Sequence, residues 1–293
     1  MWRLAPILVS TMACTDLLGI PEPVRGPCDP DAAFVHRAPV GGIGGDSGEQ
    51  YARLSRDELT VLFSRQNLNG PVNTHGDLYL AHRDRLDDDF RDVTALSEVN
   101  SDLDEFGASL SDDLLTLYFD RQVEAPRYEI FAARRSATGD RFGKPQQVDL
   151  GNDSSSNLEP FITATGMAFA STRDGLVTLF TAIGHGTVFE PPRRLIPVGT
   201  RTPSTAIEHP VVAFDGLTVY FSAPPEHAVA RDIWTASRPA LDAPFGAPRA
   251  VTMLNTADHE IPASVSEDNC RLYFLTGSNP VALELWVASR RTP

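Results

Sequence analysis

The stretch CRLYFLTG, residues 270–277, decides the fold because its pattern recurs along the chain. The other copies are LTVLFSR (59–65), LLTLYFDR (114–121), GMAFASTR (166–173) and LTVYFSA (217–223). Each copy carries a phenylalanine, at positions 63, 119, 169, 221 and 274, so the spacing is nearly regular. A period of roughly 50 residues indicates an architecture that stacks one supersecondary unit several times.

Each copy is the second of several apolar runs within its repeat. The first run begins at a glutamate (EQYARLS, EFGASLS, EPFITAT, EHPVVAF, EIPASVS), and the third ends near an arginine or an alanine (DLYLAHR, YEIFAARR, LVTLFTA, DIWTASR, ELWVASR). A further phenylalanine then follows in four repeats, at 90, 142, 189 and 245. Short apolar runs separated by Asp, Gly, Ser and Pro predict strands and turns, so each repeat predicts a four-stranded antiparallel blade.

The third repeat has two candidate registers. Phe169 in GMAFASTR fits the spacing of the neighbouring blades, whereas DGLVTLF (174–180) mimics DGLTVYF (215–221). We favour the register with Phe169 in the second strand.

The N-terminal segment predicts how the blades close. Phe34 precedes Glu49 by the same separation that places Phe90 before Glu105 and Phe245 before Glu260. The segment at Phe34 therefore has the spacing of a fourth strand without a blade of its own. We expect an all-β, five-bladed β-propeller over residues 33–293, closed by an N-terminal strand that completes the last blade and leaves no free sheet edge. Six blades are the alternative.

The repeat resembles the TolB-like, WD-like β-propeller repeat of bacterial envelope proteins. The resemblance rests on Asn/Asp-x-Glu-x-x-Pro, Ser-x-Asp-Gly, Leu-Tyr-Phe-x-Ser and Asp-Ile-Trp-x-Ala-Ser-Arg patterns, best matched over 260–290 and next over 208–238 and 105–135. Among the turns between the first two strands, only Asp215-Gly216 keeps the family's Asp-Gly pair. The resemblance implies a periplasmic or outer-membrane protein that binds a protein or ligand, and it supplies no catalytic residues.

The net charge excludes one class of partner, and the N-terminus predicts export. The net charge of −14 opposes binding to nucleic acid. The start MWRLAPILVSTMAC predicts a signal peptide over residues 1–14, ending at Cys14 as a candidate lipidation site, with a tether over 15–32. Export without a lipid, or a misassigned start codon, remains an alternative. We expect a monomer that contacts membrane only through such an anchor.

The glutamates that open the repeats are candidates for one mouth of the central channel. They are Glu49, Glu105, Glu159, Glu208 and Glu260. Facing carboxylates repel unless cations or basic groups separate them, so the set could bind a Ca²⁺-like cation or a basic partner segment. Alternatively, each carboxylate accepts backbone N–H groups and holds the blades in register. Because the residue recurs in every repeat, the second interpretation is favoured.

Three further residues depart from the repeat at the same mouth: His209, Asp258 and His259. Histidine and carboxylate groups can bind metal or transfer protons, yet no HExxH-like spacing supports a metal site. A carbohydrate-active hydrolase or lyase at the channel mouth is the alternative function, since such enzymes use paired carboxylates. No residue is assigned as catalytic and no cofactor is expected. We favour a non-enzymatic binding or scaffold module for an envelope protein or small ligand.

Two cysteines test the closure. If residues 34–40 form the last blade's fourth strand, Cys28 arrives on the face where Cys270 begins a second strand. We expect a Cys28–Cys270 disulfide in an oxidising compartment, with two free thiols as the alternative.

Overall fold

In a computed structural model of the chain, the described residues are 28–29, 32–43, 50–66, 75–151, 154–196, 206–226, 228–280 and 282–291. These residues form five antiparallel sheets and no helix. Accordingly, none of them belongs to a helix that could cross a membrane. The predicted signal peptide and Cys14 lie outside the described residues and stay predictions.

The five sheets are the five predicted blades. Blade 1 contains β2 (Gln50–Leu54), β3 (Thr60–Gln66), β4 (Gly76–His82) and β5 (Arg91–Ala95). Blade 2 contains β6 (Glu105–Leu110), β7 (Thr116–Glu124), β8 (Arg127–Arg134) and β9 (Gln146–Gln147). Blade 3 contains β10 (Asn157–Thr163), β11 (Gly166–Ser171) and β12 (Thr178–His185), with β13 (Val188–Phe189) and β14 (Arg193–Arg194) both paired to β12.

Blades 4 and 5 complete the set. Blade 4 contains β15 (Glu208–Val212), β16 (Thr218–Ala223), β17 (Asp232–Ser237) and β18 (Arg249–Ala250). Blade 5 contains β19 (His259–Val265), β20 (Arg271–Gly277), β21 (Glu284–Arg290) and, as its outer strand, β1 (Phe34–Pro39). The predicted closure by an N-terminal strand is therefore confirmed. In blade 3, Phe169 pairs with Phe180 across β11 and β12, which confirms the favoured register.

The blades close into a ring around a central channel. The innermost strands contact one another in the order β2, β6, β10, β15, β19 and back to β2. Five apolar clusters lie between consecutive blades, and the repeat phenylalanines 63, 119, 169, 221 and 274 are fully buried within them. Each blade thus buries its face only against its neighbours, as expected for a propeller.

A repeated arginine explains why the fourth-strand phenylalanine recurs. The arginine ends the third strand or directly follows it in four blades, and each guanidinium lies 4.3–4.6 Å from the centroid of that blade's outer phenylalanine. These residues are Arg83, Arg135, Arg238 and Arg290. Each Nε–H also donates to a carbonyl in the turn between the first two strands. For Arg290 the ring is Phe34, so the N-terminal strand supplies the same contact that the other blades build internally.

The same turns explain the eroded Asp-Gly pattern. The residues whose carbonyls accept from these arginines are Glu58, Leu114, Gly216 and Asn269, and all have positive φ, between 56° and 70°. Glycine adopts this conformation most readily. Here the arginine contact holds three larger residues in it.

The predicted disulfide is present. Cys28 and Cys270 are bonded with a Cα–Cα distance of 5.6 Å across a sequence separation of 242. The bond fixes the chain ahead of β1 to the blade that β1 completes.

Candidate functional site

The innermost strands bulge where they pass the channel. In blades 1 to 4 the pairing register shifts at equivalent positions, and the bulged residues Tyr51, Gly107, Glu159 and His209 have φ between 53° and 58°. Non-glycine residues are uncommon in this region, and such strain concentrates at functional sites. The bulges bring Tyr51, Glu159 and His209, from three different blades, together at the face where the innermost strands begin. We call this the upper face, and the face where they end the lower face.

His209 is the centre of this group. Its backbone N–H donates to Glu159 Oε2 at 2.5 Å, its Nε2 lies 3.3 Å from Glu159 Oε1, and its Nδ1 lies 2.7 Å from Ser222 Oγ. The ring stacks on Tyr51 with centroids 5.5 Å apart. Burial lowers the pKa of His209, so the ring is neutral near pH 7. The Ser222 hydroxyl and one Glu159 oxygen thus lie beside the two ring nitrogens, and the other Glu159 oxygen accepts the backbone N–H.

Gly107 leaves room for a second carboxyl group beside Glu159. Asp120 Oδ1 accepts the Glu159 backbone N–H at 2.8 Å, and a Cβ on Gly107 would lie 2.2 Å from the same oxygen. Asp120 is 1% exposed, and this burial raises the pKa of its carboxyl to about 8. The carboxyl is therefore largely protonated at neutral pH.

Arg53 crosses the channel beneath this group. Its guanidinium donates to the carbonyls of Pro262 (3.0 Å), Ala263 (2.8 Å) and Pro210 (3.2 Å), and lies 5.5 Å from the centroid of Phe161. The side chain, 3% exposed, links blade 1 to blades 3, 4 and 5. Burial lowers the pKa of Arg53 to about 10, with Glu159 and Asp120 acting in the opposite direction. Arg53 therefore reaches across the channel and links blade 1 to three other blades.

The repeat glutamates do not occupy equivalent positions. Glu105 and Glu260 are equivalent and fully buried, and each accepts the backbone N–H and the hydroxyl of the residue four positions earlier, Ser101 or Thr256. Glu159 lies two positions further along its strand, in the bulge, and Glu208 lies one position further and pairs with Arg231. Glu49 lies outside the described residues. These glutamates therefore have at least two roles: Glu105 and Glu260 accept hydrogen bonds from the preceding loop, whereas Glu159 and Glu208 contact basic side chains or backbone at the channel.

The upper face contains a chamber of about 230 Å³. Glu159, Glu208, His209 and His259 line it, together with Tyr51, Gln50, Arg231, Ile261, Pro280 and Leu283. Asp258 does not; its backbone N–H donates to Thr256 Oγ1 and its side chain is exposed. The structure therefore brings His209 and His259 together with two of the glutamates and leaves Asp258 outside.

Two kinds of chemistry find little support in this chamber. Among the described residues, no group of three or more His, Cys, Asp or Glu side chains is arranged to hold a metal ion. A nucleophile, a base and an orienting acid could be assigned to Ser222, His209 and Glu159. Ser222 has no exposed surface, however, so a substrate cannot reach its hydroxyl. The carboxylates of Glu159 and Glu208 are engaged by His209 and Arg231.

The lower face holds a larger cavity of about 520 Å³. All five blades contribute to it, through Leu54, Leu110, Phe161, Val212 and Val265. Ile183, Phe214 and Leu241 line it as exposed apolar side chains, 51%, 36% and 64% accessible.

Arg56 crosses the mouth of this lower cavity. Its guanidinium lies 3.6 Å from the Phe214 centroid, 2.5 Å from Glu267 and 3.5 Å from Asp112. The cavity therefore has an apolar floor and a rim of both charges.

Sequence reasoning missed Tyr51, Arg53, Asp120 and Arg231. The signal for Arg53 was present, because Ser109, Phe161, Val211 and Ser264 occupy its position in the other blades and none is charged. The sequence also did not predict a series of aromatic rings. Its members contact one another in turn, with centroid distances of 5.3–6.3 Å, in the order Tyr128, Phe106, Tyr51 and His209.

Comparison with known proteins shows the fold. No protein-family model matches the chain, and no curated protein sequence matches it. An α-L-arabinofuranosidase from Podospora anserina is similar with a TM-score of 0.55 and 10% identity, covering 92% of this chain and 99% of that one. A glycosyl hydrolase from Bacteroides ovatus has a TM-score of 0.51 and 11% identity, covering 84% and 87%.

TolB from Acinetobacter baumannii is also similar, with a TM-score of 0.48 and 14% identity over 84% of this chain, and the chain spans 55% of that protein's length. At 10% and 11% identity, the feature shared with the two hydrolases is the propeller fold, which hosts many unrelated activities.

Proposed function

We propose that this protein is an exported binding module that docks an apolar side chain of a partner polypeptide in the lower cavity. The cavity itself carries the proposal. Its volume of about 520 Å³ falls within the range of roughly 300–1,000 Å³ typical of ligand sites. Its floor is built from the innermost strands of a rigid ring, so the site exists before a partner arrives.

The surroundings of the cavity favour a polypeptide over a small metabolite. An apolar centre surrounded by a polar, charged rim is the usual anatomy of a protein interface. Arg56, Arg193 and Arg238 line the rim with Asp112, Asp215, Glu190 and Glu267. Both charges are therefore available to a partner backbone and its flanking side chains, while Ile183 and Leu241 present apolar surface that water otherwise covers.

Export and attachment are part of the proposal. The Cys28–Cys270 disulfide suits an oxidising compartment. Lipidation of Cys14 would place the anchor a short stretch of chain before the disulfide, which fixes the chain at a lower-face turn. Intact mass of the mature protein purified from its native host tests this: a lipid on an N-terminal Cys14 supports anchoring, and an unmodified N-terminus contradicts it.

Peptide display tests the docking site. A library of displayed peptides is selected on the purified protein, and an enriched sequence is synthesised and titrated by fluorescence anisotropy. We expect enriched peptides to share an apolar anchor and Ile183→Glu to weaken binding at least tenfold. Met253→Glu is the matched control, because Met253 is similarly exposed, at 59%, and does not line the cavity. Failure to enrich any peptide, or equal binding by the Ile183 variant, would refute the proposal.

A further inference from the structure

We propose that the upper chamber is a second and independent binding site, which takes a neutral polyhydroxylated ligand the size of one sugar residue. The chamber and the lower cavity share no lining residue, so this inference does not depend on the docking of a polypeptide there. Four features of the chamber lead to it: its size, its unsatisfied polar groups, its charge balance and its apolar surface.

The size of the chamber limits the ligand. Its volume of about 230 Å³ is smaller than the usual range for drug-sized ligands. At ~30 Å³ for each water of liquid volume, it corresponds to about seven or eight water molecules. One compact ring with its substituents fits this space, and a chain of several rings could place only its terminal unit there.

Two polar groups in the lining are available to a ligand. Among the described residues, the Tyr51 hydroxyl has no hydrogen-bond partner, although Tyr51 lines the chamber. His259 Nδ1 accepts the backbone N–H of Arg231 at 3.3 Å. Burial and Arg231 lower the pKa of His259, so the ring is neutral and its proton lies on Nε2. The chamber thus offers one group that donates or accepts and one that donates.

The charges in the lining favour a neutral ligand. The carboxylate of Glu208 pairs with Arg231, and the carboxylate of Glu159 is held by His209. An anionic or cationic ligand would compete with one of these contacts and leave its former partner without a hydrogen bond, which costs free energy at a buried or partly buried site. A hydroxyl group can instead add a hydrogen bond to either carboxylate while both contacts persist.

Part of the chamber lining is apolar. Ile261, Pro280 and Leu283, all from blade 5, supply this apolar surface, and the Tyr51 ring contacts Phe106. Sugar rings carry C–H groups on their faces and hydroxyl groups at their edges. A lining that combines aliphatic and aromatic carbon with several hydrogen-bonding groups matches that division, as in most small-ligand sites.

The lining is held in place before any ligand binds. Tyr51 and His209 stack on each other, and both have φ in the left-handed region, at 53° and 56°. Their conformations are maintained by the bulges of two different blades, so ordering them on binding costs little.

The test is a titration with defined sugars. D-glucose, D-galactose, D-xylose, L-arabinose and N-acetyl-D-glucosamine are screened by saturation-transfer NMR at pH 7, with glucuronate and glucosamine as charged comparators. We expect at least one neutral sugar to bind and the comparators to bind at least tenfold more weakly. Tyr51→Phe and His259→Phe should each weaken binding about five- to tenfold, as the loss of one hydrogen bond predicts.

Asp258→Asn is the matched control, because Asp258 adjoins His259 but lies outside the chamber. It should leave binding unchanged, and melting curves should show that all three variants remain folded. The proposal is overturned if no neutral sugar binds to the folded wild-type protein, if a charged comparator binds more tightly, or if the Tyr51 and His259 variants bind as wild type does. If Tyr51→Phe is unstable, the result with His259→Phe decides.

Discussion

Replacing Arg53 by methionine should destabilise the ring measurably. Methionine keeps most of the apolar stem but removes the guanidinium, which donates three hydrogen bonds to carbonyls of blades 4 and 5. Bonds from a charged donor contribute roughly 1.5–3 kcal/mol each, so their loss costs about 4.5–9 kcal/mol.

An opposing contribution reduces this cost. Burial lowers the pKa of Arg53 from 12.5 to about 10, which at about 1.4 kcal/mol per pKa unit means that the buried charge costs roughly 3 kcal/mol. Arg53→Met removes that cost. The net expected loss is about 3 kcal/mol in the free energy of unfolding, at the lower end of what breaking a buried ionic contact costs.

Urea denaturation followed by tryptophan fluorescence measures this difference. Arg141→Met is the control, since Arg141 is exposed and should change the unfolding free energy by less than about 0.5 kcal/mol. If Arg53→Met were as stable as the control, the guanidinium would not hold the blades together.

Three further predictions concern the closure and the bulges. Cys28→Ala with Cys270→Ala should lower the unfolding free energy by up to ~5 kcal/mol, the chain-entropy value for this separation, and reductant should then have no further effect on its melting. Gly107→Ala should lower the unfolding free energy by about 2–4 kcal/mol, because Gly107 has a positive φ and an added Cβ would clash with Asp120. Gly139→Ala is the control: an added Cβ there meets open space, so its melting temperature should stay close to that of the wild type. The folded pKa of Asp120, about 8, lies above that of an unfolded aspartate, so the folded state binds the extra proton. The unfolding free energy of the wild type should therefore fall relative to that of Asp120→Asn as pH rises from about 4 to about 8, by at most about 1.4 kcal/mol per pH unit, and should fall no further above that range. The same pH dependence of thermal melting in both proteins would contradict this prediction.

The ring and its closure could be predicted because they follow from spacing. Buried phenylalanines recur once per blade, and the separation of Phe34 from Glu49 repeats that of Phe90 from Glu105. The disulfide followed from the same topology, because it joins the two chain regions that closure brings together. Local periodicity and covalent geometry constrain these features strongly.

The different roles of the repeat glutamates are visible in their spacing along the sequence. Glu105 and Glu260 precede their phenylalanines, at 119 and 274, by equal separations, whereas Glu208 stands one position closer to Phe221. This difference of one residue matches the structure, in which Glu208 lies one position further along its strand than Glu105 and Glu260 do. Glu159 stands closer still to Phe169, and there the difference combines the two-position offset with the short turn between β10 and β11. Unequal spacing therefore indicated unequal roles.

The chamber itself could not be predicted in the same way. It depends on β-bulges that turn Tyr51, Glu159 and His209 toward a common space, and bulges occur in strands of many sequences. Its contacts also join blades that lie far apart in the chain, as between Tyr51 and His209. Only the closed ring brings such residues together.

Hydrogen–deuterium exchange of β1 tests the closed ring most directly. In the structure, residues 34–39 pair with β21, and the Val40 N–H donates to Leu285 O at 2.8 Å. Amides of this strand that donate to β21 should exchange at least ~100-fold more slowly than those of an unstructured chain, and at rates similar to their partners in β21. Exchange at unstructured rates in residues 34–40, with β21 still protected, would show that the N-terminal strand does not complete the last blade.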